Sequence, residues 1–345
     1  MDTVESKGIE AVTPFISVVV PCLNEKRCIA TCLQSVIDQD YPRDKYELIV
    51  VDGMSTDGTR DIIKQFVEKY PGVTMLDNPK GTTPAALNIG IHASKADLIS
   101  RIDAHASVHP DYLKSCIKVM QRTNAECVGG RMDTKGFGFW GKFIAQVLSS
   151  VFGVGLSFRT YTNYQGYVDT VAFGLYKKEA LINAGLFKEK MTRNQDWDLS
   201  RQIIEAGGTI YFDPSIRSTY YCESSLFKFI KKSFINGYWV ASQPDRMAPR
   251  HLAPTFLIGI LAFALYLSLR RGGRYSLQYE FLPLILLMTG YYLLAVFYSL
   301  RSVVEYGFHS LIFVPFLFIS LHLSYGMGTL YGLITGLWLT KAREK

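Results

Sequence analysis

The feature that most constrains this chain is a run of uncharged segments towards its C-terminus. Three stretches lack Asp, Glu, Lys and Arg: Leu252–Leu269, Phe281–Leu300 and Ser310–Leu339. A membrane-spanning helix needs about 20 predominantly apolar residues. Three such segments in succession favour membrane spans over the buried helices of a soluble core. Up to about residue 240 the chain instead carries charges every few residues, which is typical of a globular domain.

The third stretch is too long for a simple span. As one helix it would measure about 45 Å at about 1.5 Å per residue, against a hydrocarbon core of roughly 30 Å. It must tilt, break near Gly326 and Gly328, or end as an interfacial piece. Gly328, Gly332 and Gly336 recur every four residues, which is either a smooth face for close helix packing or ordinary membrane-helix glycine. We expect two to four spans or re-entrant segments within 251–340.

The N-terminal sequence predicts the compartment of the globular part. Its first apolar run, Phe15–Val20, is too short for the apolar region of a signal peptide and no basic segment precedes it. We therefore expect a multi-pass protein of the cell (inner) membrane with a cytoplasmic globular domain. The six cysteines lack metal-ligand spacing, and in a reducing compartment they are expected to be small buried hydrophobes.

The net charge of +7 has a local source. A basic region at 217–250 contains two acids, Glu223 and Asp245, and six basic residues: Arg217, Lys228, Lys231, Lys232, Arg246 and Arg250. Such a region beside a span is attracted to anionic lipid and favours a cytoplasmic location. No nucleic-acid-binding motif accompanies it, so we expect membrane lipid and no nucleic acid as a partner. Basic residues at 270–274 follow the first stretch, which leaves the topology open.

The globular part alternates strand-like and helical patterns. The predicted strands are 16–20, 47–51, 73–76, 97–102 and 126–131, and the predicted helices are 25–39, 59–70, 84–93 and 110–123. This alternation implies right-handed crossovers and an α/β fold with a mostly parallel sheet. Ligands of such sheets bind beyond the carboxyl ends of the strands. The residues just after each strand are therefore the informative ones.

The segments after the first two strands carry polar residues. Pro21-Cys22-Leu23-Asn24-Glu25 contains no glycine, which argues against a dinucleotide-binding turn. Asp52 follows the second strand, where its carboxylate could accept a hydrogen bond from a base. Ser55, Thr56 and Asp57 come next and also suit the N-terminus of a helix, the role we favour for Asp57.

Asp103 and His105 follow the strand predicted at 97–102. Alternate residues of an extended segment point the same way, so both can face one ligand. A carboxylate and an imidazole could bind a divalent metal that bridges a diphosphate. In isolation the pair is more typical of a turn aspartate beside a surface histidine.

Asp196 and Asp198 precede an apolar helical run, Leu199, Ile203 and Ile204. A helix dipole stabilises carboxylates near the N-terminus. Either aspartate could be an N-cap, Asp198 in particular, and neither would be assigned to catalysis from its local sequence.

Taken in order and spacing, these segments resemble a known family. The segments are VVVPCLNE (18–25), VVDGMSTDGT (50–59), NPKGTTPAALNIGI (78–91), Asp103-Ala104-His105 and NQDWDL (194–199). They resemble the family-2 inverting glycosyltransferases of the GT-A fold, over roughly residues 16 to 200. RIDAHA (101–106), GVGLSFR (153–159) and YVDTVAFG (167–174) are similar to the succinoglycan-type glucosyltransferases of bacterial exopolysaccharide assembly.

The resemblance implies an N-terminal extension at 1–14, a GT-A domain at 15–250 and a membrane region at 251–340. It also implies transfer of a sugar, glucose-like for preference, from a UDP-sugar to a polyprenyl-linked or other lipid-linked glycan acceptor, with a divalent metal. The residues that would contact the nucleotide sugar are Pro21, Asn24, Glu25, Asp52, Lys80, Asn88 and Asp103. Asp103 and His105 would hold the metal, and Asp196 occupies the catalytic-base position.

The sequence departs from the family pattern at two positions. His105 replaces the usual second aspartate, which favours Mn²⁺ over Mg²⁺. Gln195 replaces the usual glutamate before the base. Further contacts to the diphosphate or the acceptor are expected from Asp198, Lys231, Lys232 and Arg246.

Three further functions agree with parts of the sequence. A processive polysaccharide synthase would need a Gln-x-x-Arg-Trp motif, but Gln243 and Arg246 are followed by Met247. A polyprenyl-phosphate monosaccharide synthase and a catalytically silent, membrane-anchored nucleotide-binding protein stay open as well. The segment near 137–160, uncharged from Phe143 to Phe158, predicts an interfacial helix, a wall of the acceptor groove or a plain core helix.

Overall fold

The computed structural model describes residues 13–191, 193–241, 247, 251–270 and 282–343. Its contacts divide the chain into two compact units. The first unit comprises Met1–Gly129, Tyr167–Lys190 and Leu199–Tyr211, and the second comprises Gly130–Gly166, Met191–Asp198 and Phe212–Lys345. Most of the expected N-terminal extension, the Gln243–Arg246 segment and Arg250 lie outside the described residues.

The first unit begins with four parallel strands. They are β1 (Ile16–Cys22), β2 (Tyr46–Asp52), β3 (Val73–Asp77) and β4 (Leu98–Arg101), in the spatial order β3-β2-β1-β4. Every residue of β1 and β2 is buried. Their apolar runs have the composition of strands that are covered on both faces.

Four helices connect or follow these strands. They are α1 (Ile29–Ile37), α2 (Thr59–Lys69), α3 (Thr83–Ala93) and α4 (Tyr112–Thr123). The buried side chains of α1 are Ile29, Cys32, Leu33 and Val36, the stripe that a 3.6-residue period predicts. At Gly90 of α3 a Cβ atom would lie 2.3 Å from Val19 Cγ1 of β1, so only glycine allows this helix to approach the sheet so closely.

The rest of the sheet corrects the prediction that it is mostly parallel. The further strands are β5 (Ala106–Val108), β6 (Cys127–Lys135), β7 (Gly166–Tyr167), β8 (Leu175–Lys177) and β9 (Ile210–Tyr221). Strand β8 lies between β4 and β6 and is antiparallel to both. The sheet is therefore mixed. The sequence did not predict β8, because its three residues are too few for a strand pattern. Helices α7 (Lys178–Asn183) and α8 (Gln195–Glu205) follow β8 in the chain.

The second unit contains most of the remaining helices. They are α5 (Gly138–Leu148), α6 (Val151–Val154), α9 (Leu226–Ala241), α10 (Ala253–Arg270), α11 (Leu282–Tyr306) and α12 (Ser310–Arg343). Within the described residues, α11 and Ser310–Thr335 of α12 are long and apolar enough to cross a membrane, whereas α10 contributes a shorter apolar helix at Ala253–Phe263. Helix α12 continues past Gly326 and Gly328, which excludes a break at these glycines, one of the three alternatives for this stretch.

Close packing of α9 on α12 depends on glycine. A Cβ atom at Gly328 would lie 2.0 Å from the carbonyl oxygen of Phe234, and one at Gly332 would lie 2.6 Å from that of Tyr238. From the opposite side, a Cβ atom at Gly237 would lie 2.1 Å from the carbonyl oxygen of Tyr325. The prediction of a smooth packing face is thus confirmed for Gly328 and Gly332, while the surroundings of residue 336 are not described.

Helices α5 and α6 pack on the N-terminal half of α12 through aromatic rings. Phe143 stacks on Phe313 with ring centroids 5.6 Å apart, and Phe152 meets Phe318 edge-on at 4.9 Å. Phe143 is almost fully buried, as are Ile144 and Val147 beside it. These contacts favour a core helix for the uncharged segment that begins at Phe143.

Candidate active site

The end of β2 places a carboxylate in a fully buried position. Asp52 Oδ1 accepts a hydrogen bond from Ser55 Oγ at 2.6 Å, and Oδ2 accepts one from the backbone N–H of Ser55 at 3.0 Å. Arg60 Nη1 lies 2.6 Å from Oδ2. An ionised carboxylate has about four acceptor positions. A nucleotide base would therefore be an additional partner of a side chain that is already held in place.

Arg60 was not predicted as part of this region. Its other terminal nitrogen, Nη2, lies 2.8 Å from Asp77 Oδ1 at the end of β3, so one guanidinium links the ends of two adjacent strands. Hydrogen bonds to Asp77 and Asp52 raise the pKa of Arg60 above its ordinary value. Strands β2 and β3 pair Asp52 with Asp77. A prediction of this register would have placed both carboxylates beside one cation, Arg60.

The loops after β1 and β2 are tied together by Asn24. Its backbone N–H donates to Ser55 Oγ at 2.8 Å, and its Oδ1 accepts from the backbone N–H of Thr56 at 2.9 Å. Asn24 has a φ of 54°, a left-handed conformation that asparagine adopts more readily than most residues. The predicted nucleotide-binding residue Asn24 thus also shapes the loop that follows Asp52.

Asp57 contacts the N-terminus of α2, as favoured, although the N-cap residue is Gly58 and not Asp57. Its carboxylate accepts hydrogen bonds from the backbone N–H groups of Thr59, the first residue of α2, and of Lys26 in the preceding loop. Burial opposes ionisation of Asp57, but these bonds together with that from the Thr59 hydroxyl lower its pKa.

Asp103 and His105 lie between β4 and β5, as predicted. Both side chains are partly exposed, whereas Ala104 between them is buried. The segment is a turn, closed by a hydrogen bond from the backbone N–H of Ala106 to the carbonyl oxygen of Asp103, which corrects the extended conformation predicted for it. His105 Nδ1 lies 2.9 Å from Glu25 Oε1. Glu25, predicted to contact the nucleotide, is thus brought to the histidine.

Asp103 is held by a buried cation that was not predicted. The Nε and Nη2 atoms of Arg101 lie 3.1 and 2.9 Å from Asp103 Oδ1. The Arg101 side chain is 6% exposed, and its guanidinium carbon lies 5.7 Å from the ring centroid of Phe187. Arg101 is the last residue of β4 and lies two residues before Asp103. This short separation was the signal in the sequence from which the contact could have been predicted.

Lys80 and Asn88 both contact the segment around residue 187. Asn88 Nδ2 donates to the carbonyl oxygen of Phe187 at 2.8 Å, and Asn88 Oδ1 accepts from the backbone N–H of Phe187 at 3.1 Å. Lys80 Nζ forms an ion pair with Glu189, and this hydrogen bond lowers the pKa of Glu189. Asn88 therefore holds the backbone of Phe187 in position. Of the two residues predicted to contact the nucleotide sugar, Lys80 is the more exposed.

The donor set at Asp103 and His105 fits a metal shared with a substrate better than a metal held by protein alone. Among the described residues there is no group of three or more His, Cys, Asp or Glu side chains placed to hold a metal ion. A carboxylate and an imidazole supply two ligands, and diphosphate oxygens or water commonly complete such a shell. The Glu25 contact to Nδ1 is the kind that orients a metal-binding histidine.

Asp196 and Asp198 lie in the first turn of α8. Because the helix begins at Gln195, Asp198 is not its N-cap, which corrects that prediction. Asp198 is 2% exposed and its backbone N–H donates to the carbonyl oxygen of Asn194. Asp196 is only partly buried. The two aspartates therefore differ in burial, and Asp196 is the less buried of the two.

Two of the predicted diphosphate or acceptor contacts lie on α9. Lys231 is exposed, whereas Lys232 is partly buried and donates to the hydroxyl of Tyr220 at 3.1 Å. Arg246 lies outside the described residues.

Comparison with known proteins decides the family. A dolichyl N-acetyl-α-D-glucosaminyl phosphate 3-β-D-2,3-diacetamido-2,3-dideoxy-β-D-glucuronosyltransferase of Methanococcus voltae is 32% identical over 231 residues, 65% of this chain and 72% of the relative. Residues 17–185 match the sequence model described as glycosyl transferase family 2. The chain belongs to glycosyl transferase family 2. Its sequence-based assignment as a glycosyltransferase is confirmed.

A further relative and a solved structure resemble the chain. The succinoglycan biosynthesis protein ExoA of Rhizobium meliloti is 29% identical over 211 residues, which cover 61% of this chain and 64% of that relative. Among solved structures, the mannosyltransferase PcManGT of Pyrobaculum calidifontis, in complex with GDP-Man and Mn²⁺, is similar with a TM-score of 0.64 at 18% identity. That likeness covers 94% of this chain and 88% of PcManGT. It confirms the predicted GT-A fold.

Proposed function

We propose that this family 2 glycosyltransferase moves a sugar, glucose-like for preference, from a UDP-sugar to a lipid-linked glycan acceptor with inversion at the anomeric carbon. The observation that carries the proposal is the polar edge of the sheet in the first unit. There Asp52 ends β2, and Asp103 and His105 come after β4, on the side of an α/β sheet at which ligands bind. The names of the Methanococcus and Rhizobium relatives support a lipid-linked or exopolysaccharide acceptor.

Each of these side chains has a proposed task in donor binding. Asp52, fixed by Ser55 and Arg60, accepts a hydrogen bond from the base. Asp103 and His105 hold a divalent cation, which when bound would neutralise charge on the diphosphate leaving group. Arg101 and Glu25 hold the two ligand side chains in position. Pro21, Asn24 and Lys80 complete the contacts to the nucleotide sugar.

Asp196 is the proposed general base. It takes the proton of the acceptor hydroxyl as that oxygen attacks the anomeric carbon and the bond to the diphosphate breaks. A base must come within about 3 Å of the proton that it accepts. Its place in the first turn of α8 favours the ionised form, because the helix dipole stabilises negative charge there.

The C-terminal helices are proposed to anchor the enzyme in the cell (inner) membrane as a multi-pass protein with a cytoplasmic catalytic domain. Two helices among the described residues have the length and composition of spans. An acceptor held in lipid explains why a nucleotide-sugar enzyme carries such helices. Lys231, Lys232 and Arg246 belong to the basic region before the first apolar helix, which suits a surface of anionic lipid.

A donor panel with purified protein in detergent tests this function. Release of the nucleoside diphosphate is measured for several UDP- and GDP-sugars, with and without a polyprenyl-linked glycan acceptor. We expect acceptor-dependent release of UDP from UDP-glucose. Transfer to bare polyprenyl phosphate would instead identify a polyprenyl-phosphate monosaccharide synthase, and long products would identify a processive synthase.

A further inference from the structure

A turn of the second unit contains two buried polar atoms without hydrogen-bond partners. They are Ser157 Oγ and Arg159 Nη1, two residues apart in a turn that is closed by hydrogen bonds from Thr160 Oγ1 to the carbonyl oxygens of Gly155 and Ser157. Native proteins leave few buried polar groups unsatisfied, and each such group needs a physical reason. A ligand with acceptor oxygens would satisfy both atoms.

Arg159 and Lys232 converge on the same tyrosine. The guanidinium carbon of Arg159 lies 5.0 Å from the ring centroid of Tyr220, and Lys232 Nζ lies 5.8 Å from it. Lys232 also donates to the Tyr220 hydroxyl at 3.1 Å. Tyr220 itself is 7% exposed. A largely buried tyrosine thus lies beside a cation of the turn at its ring and a cation of α9 at its hydroxyl.

No carboxylate balances this pair in the part of the chain that the structure describes. Neither Arg159 nor Lys232 has an ion-pair partner there, and the neighbouring Glu223 accepts hydrogen bonds from the backbone N–H groups of Ser224 and Ser225 just before α9. Burial raises the pKa of Cys222 to about 11, while the charges of Lys232 and Arg159 oppose that rise. Two cations beside one tyrosine, without a carboxylate partner among the described residues, suit an anionic ligand.

We propose that Arg159, Lys232 and Tyr220 bind the phosphoryl group of the lipid-linked acceptor. Phosphate matches the donors of a guanidinium, an ammonium and a hydroxyl. The proposal rests on the proposed function, because it assigns a place to the acceptor of that reaction.

The position of Lys232 is the reason for assigning the phosphate to a lipid. Lys232 lies on α9, five residues before Gly237, which contacts α12. Along a helix this separation is about 7.5 Å. Helix α12 contains one of the two apolar segments long enough to span a membrane. Lys232 therefore lies beside such a segment, as a contact with the phosphate of a lipid-linked acceptor requires.

Calorimetry on the full chain in detergent tests the site directly. The ligands are geranyl diphosphate, geraniol as the same tail without phosphate, and UDP. We expect wild type to bind geranyl diphosphate more tightly than geraniol. Arg159→Gln and Lys232→Gln should each weaken geranyl diphosphate binding by about tenfold or more, because each removes a hydrogen bond from a charged donor. UDP binding should stay within about twofold of wild type.

Lys228→Gln is the matched control. It removes the same charge from the exposed first turn of α9 and should leave all three affinities unchanged. Tyr220→Phe keeps the ring but removes the hydroxyl that Lys232 contacts, and should cause a smaller loss than either cation variant. A thermal melt checks each variant, and Lys232→Gln serves if Arg159→Gln fails to fold.

Three results would overturn the assignment. They are equal binding of geraniol and geranyl diphosphate by wild type, unchanged geranyl diphosphate affinity in both cation variants, and loss of UDP affinity alone. The last would place the donor diphosphate at these cations. None of them depends on turnover, so a failure here is distinct from a failure of the proposed reaction, which the donor panel measures.

Discussion

At the scale of single residues, the two aspartates of α8 make the sharpest comparison. Asp196→Asn keeps the shape of the side chain but cannot accept the proton, so turnover should fall by about 10²–10⁴-fold with little change in donor affinity. Asp198 is 2% exposed in the same turn. Asp198→Asn should therefore act mainly on thermal stability. Turnover and donor affinity are measured in both variants after a thermal melt.

Full turnover in Asp196→Asn would exclude Asp196 as the base. A larger loss of turnover in Asp198→Asn, without a change in melting temperature, would transfer the role to Asp198.

Donor binding should depend on the contact between Asp52 and Arg60. Asp52→Ala removes the predicted partner of the base and should weaken UDP binding by about 1.5–3 kcal/mol, the usual loss for a hydrogen bond to a charged group. Arg60→Gln should weaken it less, since Ser55 still holds the carboxylate. Asp77→Asn is the control, because Asp77 is half exposed and contacts only the far side of the guanidinium. Unchanged UDP affinity in Asp52→Ala, measured by calorimetry, removes Asp52 from the pocket.

The metal preference should follow His105. Imidazole suits Mn²⁺, whereas Mg²⁺ prefers shells of oxygen ligands alone. We expect wild type to be more active with Mn²⁺ than with Mg²⁺, and His105→Asp to gain activity with Mg²⁺. Glu25→Gln should weaken Mn²⁺ binding, measured by electron paramagnetic resonance, because His105 Nδ1 loses the carboxylate that orients the ring. Equal wild-type activity in a chelator would mean that His105 acts without a metal.

Sequence reasoning located individual side chains better than the contacts between them. Asp52 and Asp103 were singled out because each directly follows a predicted strand, at 47–51 and 97–102, which is local information. The contact of Glu25 with His105 joins residues far apart in the chain, and the link from Arg60 to Asp77 depends on strand register. Such contacts leave no periodic pattern in the sequence, so the structure was needed to find them.

At the scale of elements, local sequence patterns predicted strands β1 to β4, whereas the short strands of the rest of the sheet depend on contacts between distant residues. Apart from β5, the strands and helices from β1 to α4 were predicted to within a few residues at each end, because buried runs and amphipathic stripes define them. Strands β5, β7 and β8 have three residues or fewer. Their place is fixed by pairing with longer neighbours, and the antiparallel insertion of β8 could not be anticipated.

The contact between α9 and α12 should tolerate no side chain at its glycines. Gly328→Ala would place a methyl group 2.0 Å from the carbonyl oxygen of Phe234 and should destabilise the protein by about 1–3 kcal/mol. Gly290→Ala on α11 is the matched control, because nothing lies within 4 Å of its Cβ position. Melting temperatures in the same detergent compare the two. Equal melting temperatures would show that the two helices are not in close contact.

At the scale of the whole molecule, the boundary of the catalytic part is the open question. The sequence predicts a domain at 15–250, yet in the second unit α5, α6 and α9 all pack on α12. Truncation after Arg250 should therefore expose apolar faces on these helices and make the product dependent on detergent, while UDP binding in the first unit persists. Gel filtration with and without detergent, together with UDP calorimetry, measures both. A monomeric product without detergent would establish 15–250 as an independent domain.

The insertion of β8 between β4 and β6 has a consequence for synthesis on the ribosome. Both neighbours are translated before Leu175–Lys177 exists, so β4 lacks its antiparallel partner until the ribosome has passed residue 177. Unpaired strand edges are the surfaces through which nascent chains aggregate. The nascent chain must therefore be shielded over this interval, and a pause in translation between residues 135 and 175 would prolong its exposure.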